Sequence, residues 1–332
     1  MHFARTEEQD ELAAIVRSLL DKHSDSAAVR RAVDSESGYD ESLWGALCEQ
    51  VGVAALPVPE EYDGFGASLV ETALVLEELG HNLTPTPLLA GAIASAALLL
   101  HADPEHRREL LPRIGAGEVA TVVLDELTLD APAAALLLRV HGGHLELLQD
   151  PRVESVGALD QTTRLARVEA DEGQTIGEVD DEGPLRDVAA ALTSALQVGV
   201  AQQGLDMTVA YSLERVQFGR PIGSFQALKH RMADMLVLVE ASRSASWGAS
   251  AAAAAYVSDP TEPNREILHR RAAVARSYCS DALDHVASET VQLHGGIAIT
   301  WEHDAQLLFK RAHALNQLWQ PAHEARASLL RR

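Results

Sequence analysis

The chain has little of what would build a secreted, membrane-bound or nucleic-acid-binding protein. Its 332 residues include two cysteines, Cys48 and Cys279, which form neither a disulfide framework nor a metal-binding pattern. Both fall in helical patterns and read as core thiols. Lysine stands only at positions 22, 229 and 310. A net charge of −22 and a pI near 4.9 argue against nucleic acid or an anionic membrane as partner. The longest apolar run, residues 88–100, is too short to span a bilayer. The start, Met1-His2-Phe3-Ala4-Arg5-Thr6, lacks signal-peptide character, so a soluble cytoplasmic protein is expected. Aromatic residues make up 4%, and no tryptophan falls between Trp44 and Trp247.

What is present is mostly helical pattern. Thr6-Glu7-Glu8-Gln9 reads as an N-cap with an acidic first turn, followed by an apolar period through Leu12, Ile15, Val16, Leu19 and Leu20. Residues 43–51 form a second amphipathic segment. Pro57, Pro59, Gly64 and Gly66 make the next stretch a loop. Helices over 69–79, 88–100 and 105–114 complete an expected all-α domain, residues 1–118. The composition then shifts to short β-like runs at 119–125, 134–140, 144–149 and 163–169, with 157–159 as a further piece. These define an expected small β domain, residues 119–183. Residues 184–332 read as four helices, at 185–214, 224–256, 262–294 and 301–330, in an up-down four-helix bundle. The predicted fold class is mainly α with a small β domain.

Two stretches stand out against this background. The first, Arg215 to Gln226, interrupts two long helical patterns with Gly219, Pro221 and Gly223, and so makes a tight corner. It offers a cation, the Phe218 ring and the Gln226 amide, with Arg220, Lys229, His230 and Arg231 close by. The second is Gln292-Leu293-His294-Gly295-Gly296. A structural reading makes these a solvated corner and a helix stop. A binding reading also fits the residue types. Arginine matches phosphate oxygens bidentately, and an aromatic ring offers a flat face to a base. A Gly-Gly pair lets backbone N–H groups approach a diphosphate, and glutamine both donates and accepts.

Together the two stretches resemble the signature of the acyl-CoA dehydrogenase family. Its Arg-x-x-Phe-Gly-x-x-(Ile/Leu)-x-x-x-Gln stands here as Arg215 to Gln226, followed by Met232-Ala233-Asp234-Met235. Its Gln-x-x-Gly-Gly stands as Gln292, Gly295 and Gly296. The resemblance covers most of the chain, including the loop Pro59-Glu60-Glu61-Tyr62-Asp63-Gly64, where Asp63 replaces the usual glycine. It implies that Arg215, Phe218, Gln226, Gln292, Gly295 and Gly296 hold the pyrophosphate and adenine half of a neighbouring subunit's FAD.

Two departures qualify that implication. The middle domain lacks both the family's Thr-Glu-Pro-x-x-Gly-Ser-Asp loop and its Trp-x-(Thr/Ser) strand, which surround the flavin ring. The family's base should be a carboxylate that takes the α-proton of an acyl-CoA. One family base position falls here on Trp319 or Gln320 and the other on Ala189, none of them acidic. Asp187 is the weak candidate left, with the ordinary reading of a first-turn acid. Glu302 and Asp304 receive the same reading. The resemblance is then to the short subunit of actinobacterial heteromeric (α2β2) acyl-CoA dehydrogenases. That implies a full-length partner subunit, an acyl-CoA substrate and an electron-transfer acceptor. The alternatives are a divergent homo-oligomer with a relocated base, or a non-catalytic structural paralogue.

Overall fold

The structure, a computed structural model, describes residues 5–330. Six helices come first: α1 (Glu7–His23), α2 (Ser26–Asp34), α3 (Glu41–Ala46), α4 (Leu69–His81), α5 (Leu88–His101) and α6 (Pro104–Gly115). Capping boxes start α1, from Thr6 and Gln9, and α4, from Ser68 and Glu71. Helix α2 was not anticipated. Asp25 caps it, and it buries Ala28, Val29, Ala32 and Val33 over only nine residues, too few for a clear period. The loop with two prolines contains one 3₁₀ turn, Glu60–Tyr62. Asp63 sits there at φ 60°, the left-handed conformation that favours the family's glycine.

Seven strands follow: β1 (Ala120–Val123), β2 (Thr128–Leu129), β3 (Leu136–His141), β4 (His144–Leu148), β5 (Arg152–Val156), β6 (Leu165–Glu169) and β7 (Gly173–Glu178). They form two sheets, in the orders β1-β3-β4-β7 and β2-β6-β5, with only the β1–β3 pair parallel. The piece expected at 157–159 is not a strand. Strand β5 lies just before it and is mostly exposed, so it carries no apolar signal. Cys279 is buried and Cys48 half-buried, and burial pushes each thiol up to about 12, which makes both poor nucleophiles.

Three helices of 32, 33 and 33 residues dominate the rest: α7 (Gly183–Glu214), α8 (Gln226–Ser258) and α9 (Glu262–His294). Each is about 50 Å long. The single fourth helix expected over 301–330 is not there. It is split into α10 (Ala305–Leu315) and α11 (Ala322–Ser328) by a turn at residues 316–321. Pro321 has no N–H and disfavours helical backbone at Gln320, while Trp319 turns left-handed at φ 63°.

The helical layers meet closely. Helix α4 crosses α7 at Gly80 and Gly199, where a Cβ on Gly199 would lie 1.9 Å from the Glu77 carbonyl oxygen. One on Gly80 would lie 2.4 Å from that of Leu196. Helix α7 meets α9 at Gly204, whose added Cβ would be 2.9 Å from Thr290 Oγ1. Among the described residues no helix is long and apolar enough to cross a membrane, and no group of three His, Cys, Asp or Glu side chains is arranged to hold a metal.

The sheets join the helices at a buried charged junction. Arg164 donates to the carbonyls of Val33 and Ser35 at 2.6 and 2.9 Å, and Arg311 on α10 donates to Thr162 Oγ1 at 3.1 Å. Asp160 accepts from Thr162 and Thr163. Asp130 sits beside these groups at φ 52°. Burial pushes its carboxyl up to about 7, against the opposing pull of Arg311 and Arg164. Because this pKa is raised above the unfolded value, the stability linked to it is fully present below about pH 4. It is lost as pH climbs to about 7. Asp130→Asn keeps a residue that tolerates positive φ and removes the titration. Urea melts at pH 5 and pH 8 should show the variant gaining about 2 kcal/mol on the wild type between the two. Parallel pH profiles would show that Asp130 does not titrate in this window.

Candidate functional site

The corner after α7 is more structured than glycine and proline content alone indicates. Arg215 caps α7, its N–H donating to the Tyr211 carbonyl at 2.9 Å. Its own carbonyl accepts from Ile222 N–H at 2.8 Å. Between them lies a miniature hairpin of β8 (Val216–Gln217) and β9 (Arg220–Pro221). The two turn residues, Phe218 and Gly219, have φ of 52° and 77°, as a two-residue hairpin turn of the primed type requires. Glycine accepts this freely, but a bulky phenylalanine does not, and such strain concentrates at functional positions. The Phe218 ring is 91% exposed and stands edge-on to Phe225, centroids 6.1 Å apart. The Arg220 guanidinium lies over the Phe225 ring at 4.1 Å. Gln226 opens α8, with its Nε2 2.8 Å from His230 Nε2.

The second stretch ends α9 at the same end of the bundle. Arg231 near the start of α8 pairs with Glu289 on α9, and the Tyr211 ring stacks on His294 with centroids 4.5 Å apart. Gln292 is exposed. Gly295 takes φ 65° and ψ −145°, a conformation that belongs to glycine. A Cβ added to Gly295 or Gly296 would meet nothing within 4 Å, so these glycines leave open space before their backbone. The structure thus gathers Arg215, Phe218, Gln226, Gln292, Gly295 and Gly296 at one end of the bundle.

Electrostatics mark this end as unfinished. In a chain of net charge −22, no carboxylate among the described residues forms an ion pair with Arg215, Arg220 or Lys229. Leu213, Val216, Ile297, Ile299 and Trp301 are exposed on the elements that form it. Free cations, an open glycine pair and a ring held in solvent form a donor set that suits a dinucleotide's phosphates and base.

The base positions look different. The Trp319 indole N–H donates to Thr193 Oγ1 on α7 at 2.8 Å, and Thr193 donates in turn to the Ala189 carbonyl at 2.8 Å. The turn holding Trp319 and Gln320 and the helix segment holding Ala189, where the resemblance expects a base, are thus linked through Thr193. The turn carrying Trp319 is fixed by Arg276, which was not singled out from the sequence. Its buried guanidinium donates to the carbonyls of Leu315, Asn316, Leu318 and Gln320 at 2.6–3.0 Å. Burial brings it down to about 10. No carboxylate reaches this cluster among the described residues.

Asp187 lies near the other end of α7, 28 residues before Arg215 and so about 40 Å away along the helix. Its carboxylate is 3.0 Å from His269 Nδ1 on α9. Burial raises its pKa, and His269 opposes that rise. Asp304 accepts from Ser26 and Arg30 on α2, at 2.6 and 2.7 Å, and so serves packing; Glu302 is exposed. Tyr211 escaped the sequence reading, and Phe225 and His294 lay within the two stretches without a role of their own. For His294 the available signal was its position immediately before the glycine pair.

Comparison with known proteins bears on the whole chain. The acyl-CoA dehydrogenase N-terminal domain matches residues 6–118 and the acyl-CoA dehydrogenase C-terminal domain matches residues 187–318. Acyl-CoA dehydrogenase IpdE2 of Mycolicibacterium smegmatis is 47% identical over 320 residues, covering 96% of each chain. IpdE2 of Mycobacterium tuberculosis is 44% identical, over 96% of this chain and 95% of that one. Among solved structures, a variant of the Tcur3481-Tcur3483 steroid ACAD superposes with TM-score 0.88 at 27% identity, over 97% of this chain and 96% of that one. The ChsE4-ChsE5 complex from Mycobacterium tuberculosis gives TM-score 0.86 at 25% identity, over 100% and 98%.

Proposed function

Because this chain belongs to the acyl-CoA dehydrogenase family, we propose that it is the supporting subunit of a heteromeric, FAD-dependent acyl-CoA dehydrogenase. In this reading it supplies contacts to the ADP half of a partner's FAD and no catalytic base. Bound flavin supplies the acceptor for the β-hydrogen, and the partner supplies the carboxylate that takes the α-proton. The observation that carries the reading is the contrast within one bundle. The corner keeps Arg215, Arg220 and Lys229 without a carboxylate partner among the described residues and Phe218 in solvent, while neither Trp319 nor Gln320, the candidates for one base position, is acidic.

Arg215, with Arg220 and Lys229 near it, is the group for the pyrophosphate. Phe218 offers the flat face for adenine. Gln226 and Gln292 reach base or ribose edges, and Gly295–Gly296 present backbone. Two superposable structures point to a partner: by their names, Tcur3481-Tcur3483 and ChsE4-ChsE5 each pair two different chains. The word steroid in the first favours a bulky steroid side-chain CoA thioester as substrate here. An electron-transfer acceptor then reoxidises the flavin, and the assembly is an α2β2 heterotetramer in the cytoplasm.

Purification with and without a full-length acyl-CoA dehydrogenase partner tests the reading. Alone, the chain should be colourless. With its partner it should give a yellow heterotetramer by light scattering, with one FAD per pair of different chains. The exposed apolar residues of the corner, with Leu236 and Val237 on α8, should lie in a contact burying more than about 2,000 Å². A yellow homodimer of this chain that oxidises an acyl-CoA would overturn the assignment.

A further inference from the structure

One buried imidazole connects the two halves of the proposed nucleotide corner. His294 is the last residue of α9 and immediately precedes Gly295. It is 3% exposed. Its Nδ1–H donates to the Thr290 carbonyl at 2.7 Å, which fixes the ring plane. One face stacks on Tyr211 at 4.5 Å and 26°, and the His303 ring lies at 4.7 Å, tilted by 59°. Tyr211 is in turn the residue whose carbonyl accepts the Arg215 N–H. His303 Nδ1 accepts from Ala305 N–H, so it caps α10 while flanking His294. The imidazole is thus bonded through one peptide link to the glycine pair and stacked on the turn that aims Arg215.

The layer beneath is rigid. Thr208 and Thr290 lie 3.2 Å apart across α7 and α9, and both bond to the Gly204 carbonyl. Above that layer the stack is what ties the last turn of α7 to the last turn of α9. His294 Nε2 is buried without a hydrogen bond of ordinary geometry, although the Met207 backbone on α7 is close enough to favour the protonated ring.

We propose that His294, stacked on Tyr211, is a positioning residue that holds the Arg215 hairpin and the Gly295–Gly296 backbone in register for one dinucleotide. This rests on the assignment of the corner to FAD. The residue does not touch the reacting atoms. It acts by keeping two half-sites on separate helices at a fixed separation.

The test measures FAD dissociation from the complex with the partner subunit, by flavin fluorescence. His294→Leu removes the stack and should weaken FAD binding about five- to tenfold, the equivalent of one aromatic pair. His294→Phe keeps a flat ring and should stay within about twofold of wild type by the same measure. Tyr211→Leu should resemble His294→Leu, and the double variant should be no weaker than either single one, because both remove one contact. Wild-type affinity in His294→Leu, an equal loss in His294→Phe, or additive losses in the double variant would each overturn the proposal. If His294→Leu does not fold, Tyr211→Phe against Tyr211→Leu puts the same question from the other ring. Arg215→Ala in the same assay separates the two levels of inference. A silent Arg215→Ala means that the corner is not the FAD site. A weakened Arg215→Ala beside a silent His294→Leu removes only the role of His294.

Discussion

No acyl-CoA oxidation is expected from this chain on its own, and neither Trp319→Glu nor Gln320→Glu should restore it. Abstraction of the α-proton by a positioned carboxylate is worth about 10²–10⁴-fold. The positions where the proposal puts the family base, Trp319 or Gln320 and Ala189, carry no acid, and Trp319 and the Ala189 carbonyl are bridged by Thr193. A new carboxylate in that turn would stand near the buried Arg276 guanidinium, which holds four carbonyls of the same segment. An opposite charge of this kind favours the ionised carboxylate and weakens it as a base. Hydride transfer also needs the flavin ring, and the middle sheets lack the sequence elements that surround it in the family. Two independent losses on one step leave nothing for a single substitution to recover.

Asp187 supplies the counter-test. Burial raises its pKa, a property also found in catalytic bases. Its carboxylate nevertheless pairs with His269 and makes no hydrogen bond to the Trp319–Thr193 cluster. In the complex, Asp187→Asn should leave turnover within about twofold of wild type, since surface-proximal pairs of this kind contribute little. Abolished turnover with FAD still bound would make Asp187 the base, and the supporting-subunit reading would fall.

The second large effect concerns flavin retention. Arg215→Ala in the complex should weaken FAD binding tenfold or more, equivalent to a charge-assisted phosphate contact of about 1.5–3 kcal/mol. Turnover per bound flavin should hardly change, because the residue meets the cofactor far from the reacting carbon. Arg215 forms no ion pair with any described carboxylate, so its removal leaves no buried charge behind, and the melting point of the flavin-free protein should be unaffected. Raising the salt should narrow the difference between variant and wild type, as screening does for any solvent-accessible charge. Unchanged FAD affinity would remove Arg215 from the site.

The long helices were legible because their periods are long. Helix α9 was expected at 262–294 and is found at Glu262–His294, and α7 begins two residues before its expected start. Short elements were not. Helix α2 spans nine residues, and β5 exposes most of its side chains, so neither leaves a period to read. The break between α10 and α11 was signalled only by Pro321 within an otherwise helical composition. The corner residues were legible as a motif, but not their backbone. That Phe218 would occupy a left-handed turn position follows from the hairpin closing around it, a consequence of Ile222 bonding back to Arg215. Arg276 was invisible, and His294 visible only as a member of its stretch, for a different reason. Each acts on groups 9 to 83 residues away in sequence, through backbone carbonyls or ring faces that no side-chain pattern announces.

The crossing at Gly80 and Gly199 has a consequence for how the molecule comes apart. With backbone against backbone there, no side chain can swing aside to let α4 ride over α7, so a small separation of the two helices already forfeits the contact. The N-terminal helices and the long bundle are therefore expected to loosen together at this crossing on heating. The β1-β3-β4-β7 sheet shares the main apolar core with the helices, through Ala120, Leu138, Leu145 and Ile176, whereas the β2-β6-β5 sheet meets them at the junction around Arg164 and Arg311 and is the part expected to loosen first.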